Sequence, residues 1–492
     1  MTFPATDGIT DRLQALFAYD ASSPLIFSSG LFLFLFAGFL LVYSAFRCAP
    51  MARIVYVIAF SLYFYYKSSG IYFLLLVFAA ASDFLIARGI YRARFRWTKR
   101  WLVVLSVAVN LGMLGYFKYT NFLIDISNQL FGQGFLQFQN IFLPVGISFF
   151  VFQSMSYTID IYRGQLKPLS NWLDYLFYLS FFPQLVAGPI VRARDFIPQI
   201  RQNPVVVTRE MFGTGVFLIL TGLFKKAIIS DYISLNFVDR IFDEPLLYSG
   251  FECLMGIYGY ALQIYCDFSG YSDMAIGIAL LLGFRFPKNF DAPYKSATIT
   301  EFWRRWHISL STWFREYLYI PLGGNRCSKG RWVLNLFLVW AATGIWHGAS
   351  WNFVLWGLYF WVLLLVEKFV LLRWLKRAPG AVGHLYTLFF VLVSWTIFAI
   401  EDFGQLGEYL KVMFGLGGVP LIDGAFKYYA ANYLPVLCIS ALAATPLGAA
   451  VYRRLNVRTA HILGAVLILA GLLLCTAYLV DGTYNPFLYF RF

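Results

Sequence analysis

Apolar runs follow one another along almost the whole chain, and that succession dictates the solvent in which it folds. Hydrophobic residues make up 60% of the 492 and charged residues 13%, with a mean hydropathy of +0.66. Soluble domains carry roughly 45–50% apolar and about 25% charged residues. The polar interruptions are short: the first 23 residues, 88–100, 198–210, and a block over 285–331. No stretch remains from which a water-facing core can be built. The chain therefore reads as an all-α polytopic membrane protein, with one transmembrane domain over 24–492 and a polar arm over 1–23.

A span needs about 20 mostly apolar residues, and on that measure the runs predict about eleven transmembrane helices plus short or re-entrant pieces. Expected spans include 29–46, 54–66, 71–87, 101–117, 141–162, 211–224, 250–266 and 274–282. Several are short or interrupted by Gly and Pro. Such backbone is tolerated at membrane depth only where protein or a water-filled cavity covers it. The segment 172–189, flanked by Lys167 on one side and Arg192 and Arg194 on the other, reads as one that dips in and returns.

Net charge is +14, from 39 basic and 25 acidic residues. In a membrane protein this is a topology signal, because cytoplasmic loops retain Lys and Arg. RGIYRARFRWTKR at 88–100 has six basic residues and no acid. It reads as a cytoplasmic loop, and no nucleic-acid partner is expected. The arm, with Asp7, Asp11 and Asp20 against Arg12, then lies on the extracytoplasmic side, where 6–19 can form an interfacial amphipathic helix.

The six cysteines (Cys48, Cys253, Cys266, Cys327, Cys438, Cys475) show no CxxC spacing. Neither a disulfide framework nor a zinc site is indicated. His307, His347, His384 and His461 lack HxxxH and HExxH spacing, so no metal is expected. GxSxG, Walker and GxGxxG signatures are also missing, which removes support for serine-hydrolase and nucleotide-binding readings.

Polar groups in hydrocarbon are kept mostly for function, and two histidines stand in polar settings within this apolar chain. EFWRRWHISLSTWFREYLYIPLGG (301–324) contains His307, and TGIWHGASWNFVLWG (343–357) contains His347. Thr298 and Glu301 have capping-box spacing, which predicts a helix over 299–319 ending at Pro321, Gly323 and Gly324. On it Trp303, His307 and Ser311 fall at i, i+4 and i+8, one stripe, with Arg304, Arg305 and Arg315 adding positive charge. Trp346 and Asn352 flank His347. Before this block, Asp267, Ser269, Tyr271 and Asp273 cluster around Gly270. Their carboxylates can orient an imidazole or bind a sugar hydroxyl, and Asp273 can equally cap a helix. From spacing alone His347 is either a satisfied core histidine or a base, since an imidazole titrates near neutrality. His384 and His461 begin apolar runs in plain contexts and read as interfacial polar ends.

With these motifs assembled, the chain resembles the membrane-bound O-acyltransferase family, and most closely its bacterial alginate O-acetyltransferase-like branch. The likeness is carried by CDFSGYSDMAIGIALLLGFRFPKNFDAPY (266–294), FWRRWHISLSTWFREYLYIPLGGNR (302–326) and WHGASWNFVLWG (346–357). FSSGLFLFLF (27–36), LPVGISFFVFQSMSYTIDIYRG (143–164), FFPQLVAGPIVR (181–192) and NPFLYFRF (485–492) agree. The resemblance implies a funnel-like helical bundle with a central tunnel, a principal catalytic histidine at His347 and a second at His307. Those two lie 347 − 307 = 40 residues apart.

The resemblance also implies an acyl group, acetyl first, moving from a cytosolic thioester to a hydroxyl of an exported or cell-surface polysaccharide. An SGNH-type extracytoplasmic partner would take part, and the location would be a bacterial cytoplasmic membrane. No bound cofactor is implied. The donor would be acetyl-CoA or a phosphopantetheine carrier thioester, whose phosphates Arg304, Arg305 and Arg315 can attract. Two other readings stand beside this one. One is transfer of D-alanine to teichoic acid, or acylation of a lipid or peptide. The other is a transporter with proton-relay histidines, against which the absence of a repeat between the two halves counts.

Overall fold

The computed structural model describes residues 16–202, 205–481 and Phe487. Every regular element among them is helical, as hydrocarbon requires of a chain that must satisfy its own backbone polar groups. Six helical runs are long and apolar enough to cross a bilayer: Pro50–Arg92, Arg96–Phe131, Arg209–Asp243, Trp351–Leu375, Gly380–Ala399 and Arg458–Leu479. Gly30–Ala45 is a shorter apolar helix. The sequence expectation of about eleven spans of ~20 residues divides the chain more finely than this. Spans expected at 54–66 and 71–87 share one of these runs but are two helices, Pro50–Ser69 and Phe73–Arg92, parted at Gly70, whose φ is 59°. Those expected at 250–266 and 274–282 are a single 32-residue helix, Gly250–Leu281. The arm's expected helix at 6–19 lies largely outside the described residues, as does the 485–492 motif apart from Phe487.

The chain divides into two compact units. The first comprises Met1–Thr120, Gln139–Arg209 and Leu281–Arg285. It is built on α1 (Gly30–Ala45), α2 (Pro50–Ser69), α3 (Phe73–Arg92), α4 (Arg96–Leu114), α5 (Ile147–Tyr162) and α6 (Trp172–Ser180). Its core is aromatic. The Phe182 ring lies 5.0 Å from Phe60, 5.7 Å from Phe39 and 5.8 Å from Phe64, and such pairs add about 0.5–1.5 kcal/mol beyond area burial. The segment expected to dip and return is two short helices, α6 and Phe182–Leu185. One fully buried carboxylate ties four helices together: Asp83 of α3 accepts from Ser106 Oγ and Asn110 Nδ2 of α4, each at 2.6 Å, and from Ser154 Oγ of α5. Ser154 is in turn 2.9 Å from the Tyr175 hydroxyl of α6. Donors of this kind replace the water that a buried carboxylate loses.

The second unit comprises Asn121–Phe138, Glu210–Leu280 and Phe286–Phe492. Its helices are α7 (Arg209–Leu223), α8 (Gly250–Leu281), α9 (Ile299–Arg305), α10 (Ile308–Phe314), α11 (Lys329–His347), α12 (Trp351–Val366) and α13 (Gly380–Ala399). Here α7 and α8 meet backbone to backbone: a Cβ on Gly222 would lie 2.3 Å from the Gly270 carbonyl oxygen. Small residues permit such approaches between membrane helices. In the π-helical turns after α7, Lys225 reaches Asp273 at 2.7 Å, and Lys226 reaches both Asp267 and Asp231 at 2.8 Å. Asp273 therefore stands mid-helix in an ion pair and caps nothing. Gly270, which looks like a helix break in the sequence, is a contact point.

Candidate active site

The central polar block begins as its sequence predicts. The Thr298 hydroxyl accepts from the Glu301 N–H at 3.1 Å. Glu301 reaches back to the Ala297 N–H at 3.0 Å, one residue before the usual capping-box position. A second carboxylate joins from further along the chain: Glu367 accepts from the Ile299 N–H at 2.6 Å and the Thr300 N–H at 3.1 Å. Helix α9 thus starts on two acidic side chains, where its dipole favours negative charge.

The single helix predicted over 299–319 does not form. It breaks at His307, whose φ of 45° and ψ of 56° are left-handed, and α10 starts afresh at Ile308. A non-glycine residue in that region costs roughly 1–2 kcal/mol. The neighbouring loop 288–292 supplies the bonds that hold it there. The Asn289 carbonyl accepts from the Ile308 N–H at 2.9 Å, and the Asp291 N–H donates to the Arg305 carbonyl at 2.9 Å. Asn289 Oδ1 accepts from the Ser309 N–H at 3.2 Å and the Ser309 hydroxyl at 2.9 Å. The loop is fastened in turn by Arg305, which pairs with Asp291 at 2.6 Å and Glu301 at 2.9 Å.

His347 is the last residue of α11. It is delivered by a helical hairpin whose arms touch through glycine: a Cβ on Gly344 would lie 2.4 Å from the Phe353 carbonyl oxygen, and one on Gly357 2.5 Å from that of Trp340. The glycine of the Trp-His-Gly motif has a steric reason as well, since a Cβ on Gly348 would stand 2.0 Å from the Phe353 ring. Around the imidazole, the Trp346, Trp356 and Phe398 rings lie edge-on at 4.9, 5.0 and 5.4 Å.

Both imidazoles line one cavity of about 210 Å³. Trp303, Trp340 and Thr343 form its walls, Thr300, Ser311 and Tyr319 bring hydroxyls, and Arg304 and Arg315 bring exposed guanidinium groups. His307 comes from the break between α9 and α10 and His347 from the end of α11, so the fold and not local sequence brings them to one space. Although its helix is broken, the predicted stripe survives as a lining. The Ser311 hydroxyl donates to the Trp303 carbonyl at 3.2 Å across the break. His307 belongs to neither flanking seven-residue helix and is only 1% exposed. Burial pushes its pKa down to about 3, so the ring is neutral at physiological pH.

Six other residues singled out in the sequence lie outside that lining. Asp267 is held by Lys226, Ser269 is buried within α8, and the Tyr271 ring packs on Phe487 at 4.9 Å. Arg305 fastens the 288–292 loop. The Trp346 ring lies 6.0 Å from that of His307. Asn352 donates to the Ile397 and Phe398 carbonyls at 3.3 and 3.0 Å, fixing the Phe398 wall of the His347 box. Sequence reading missed Trp340 and Thr343, although their spacing from His347 (i, i+3, i+7) marks one helix face. It also missed Asn289, for which a loop offers no periodic signal. His384 is exposed, with Nδ1 3.2 Å from the Ser296 carbonyl oxygen.

Comparison with known proteins adds the lineage. The family model for MBOAT, the membrane-bound O-acyltransferase family, matches residues 158–403. The probable alginate O-acetylase AlgI of Pseudomonas aeruginosa is 38% identical over 400 residues, which are 80% of this chain and 75% of that protein. The chain belongs to the membrane-bound O-acyltransferase family. The peptidoglycan O-acetyltransferase of Helicobacter pylori is 35% identical over 429 residues, 81% of each chain. A teichoic acid D-alanyltransferase of Bacillus subtilis is more distant, at 29% over 269 residues, 52% of this chain and 66% of its own. The matched region contains the whole candidate site, from Asn289 to Phe398. The protein is accordingly a multi-pass membrane enzyme, an O-acyltransferase, and the transporter reading falls.

Proposed function

We propose that this enzyme moves an acetyl group from a cytosolic thioester, acetyl-CoA or a phosphopantetheine carrier, to a hydroxyl of an exported or cell-surface polysaccharide. The observation that carries the reading is the convergence of His307 and His347 on one cavity. It is supported by relatives named for alginate and peptidoglycan O-acetylation that align over three quarters or more of both chains. The attacking hydroxyl oxygen bonds to the thioester carbonyl carbon, the carbon–sulfur bond breaks, and the proton passes to the His347 imidazole and on to the leaving thiolate. His347 ends its helix, where the carbonyl end of the dipole stabilises the positive charge formed in transit. Positioned imidazole catalysis contributes about 10²–10⁴-fold. Arg304 and Arg315 attract the donor's phosphates at the cavity, and an SGNH-type extracytoplasmic partner completes delivery to the glycan.

The test supplies labelled acetyl-CoA to membranes containing the protein and its neighbouring gene products. Label is expected in polysaccharide or in the partner. Label arriving only from a D-alanyl carrier protein would overturn the acetyl reading in favour of the D-alanine one.

The enzyme acts across a bacterial cytoplasmic membrane, with the 88–100 turn inside and the N-terminal arm outside. The six positive charges of that turn support this orientation. Arg94 is exposed in the turn between α3 and α4, so Arg94→Cys offers a reachable thiol. It should resist an impermeant maleimide in intact cells and react once the cells are broken. Ready labelling of intact cells would invert the topology.

A further inference from the structure

Asn289 lies in a loop, is 1% exposed, and is bonded on both faces of its amide. Oδ1 accepts from the Ser309 N–H and hydroxyl, and Nδ2 donates to Ser272 Oγ of α8 at 3.0 Å. A backbone N–H can only donate, so the atom facing Ser309 must be the oxygen, and the amide cannot be flipped. The same oxygen lies 3.1 Å from His307 Nδ1. An amide oxygen has no proton to give, so Nδ1 must carry the hydrogen of that bond. In the neutral ring the lone pair then belongs to Nε2.

We propose that Asn289, anchored by Ser272, is a positioning residue that locks His307 in its Nδ1–H tautomer. This presents Nε2 as a hydrogen-bond acceptor to a substrate hydroxyl in the cavity. The inference rests on His307 taking part in acyl transfer. It gives the left-handed turn a purpose. One asparagine takes the Ser309 N–H, the Ile308 N–H through its own carbonyl, and the imidazole, so the backbone that carries the ring and the ring itself are set by one residue. With the opposite tautomer, Nε2 would be a donor and could not accept the hydrogen bond that orients the substrate hydroxyl toward its reaction at His347. A substrate hydroxyl accepted by Nε2 is fixed in direction before it reacts, and misplacement of about 1 Å costs on the order of 10²-fold in rate.

The experiment measures kcat and KM for labelled acetyl transfer in Asn289→Leu, Asn289→Asp and His307→Ala, each with a thermal melt. Asn289→Leu should lower kcat by about 100-fold with KM within about twofold. Asn289→Asp keeps an oxygen acceptor at the same place and should recover most of the lost kcat. A simple packing role would not favour Asp over the apolar Leu. Should Asn289→Leu fail to fold, Asn289→Ala carries the same expectation. In a His307→Ala background the Asn289 substitutions should have no further effect on residual transfer, because contacting residues that act as a unit are non-additive. Wild-type kcat in folded Asn289→Leu, or no recovery in folded Asn289→Asp, overturns the inference while leaving His307 untouched. Full activity in His307→Ala removes the reading on which it rests.

Discussion

Replacing His347 by alanine should abolish acetyl transfer while leaving the protein in the membrane. In the proposed reaction this imidazole takes the hydroxyl proton, and general-base catalysis by such a group contributes about 10²–10⁴-fold. Its ring also fills a box of Trp346, Trp356 and Phe398 edges. The alanine variant therefore loses contacts as well as chemistry. His347→Gln, closer in volume, separates the two: it should melt near the wild type and be as inactive as His347→Ala. Rates of labelled transfer and a melt in detergent measure both quantities. Undiminished transfer by either variant would remove His347 from catalysis.

The second large effect is on assembly. Gly357→Leu should prevent the α11–α12 hairpin from closing, because its Cβ would start 2.5 Å from the Trp340 carbonyl oxygen and 3.4 Å from the Gly344 Cα. Overpacking a core costs typically 1–3 kcal/mol when side chains can give way, and these are backbone atoms that cannot. The expected result is loss of the monodisperse peak in size-exclusion chromatography, with activity lost in proportion. Gly330→Ala, in α11 with nothing within 4 Å of its Cβ position, should behave as the wild type. A stable, active Gly357→Leu would mean that the two helices are not held by this contact.

What the sequence disclosed and what it withheld divide along physical lines. Hydropathy alone identifies a helical membrane protein, and the Thr298 and Glu301 cap is readable because its partners lie within four residues. The catalytic candidates were visible as polar groups in apolar surroundings. The break at His307 was not, because a left-handed residue there is stabilised by bonds from Asn289, 18 positions away and aperiodic with it. The same holds for Gly270. An isolated glycine between apolar runs looks like an interruption until the helix that presses against it is known. Asp267 and Arg305 carried charge that suggested substrate. Their charge is spent on Lys226 in one case, and on Asp291 and Glu301 in the other, pairings that no linear spacing announces.

The lysine–aspartate pairs that join the run after α7 to α8 also bear on how the protein enters its membrane. Lys225 and Lys226 sit near the middle of the membrane-length run Arg209–Asp243, and two of their partners, Asp273 and Asp267, belong to α8. A lone Lys or Asp at the centre of a helix opposes partition into lipid by about 2.5–3.5 kcal/mol. Each segment alone carries that cost, whereas together their charges cancel. The first is therefore expected to insert less stably without the second, and a truncation ending before Gly250 that held in the membrane as firmly as the full chain would refute this.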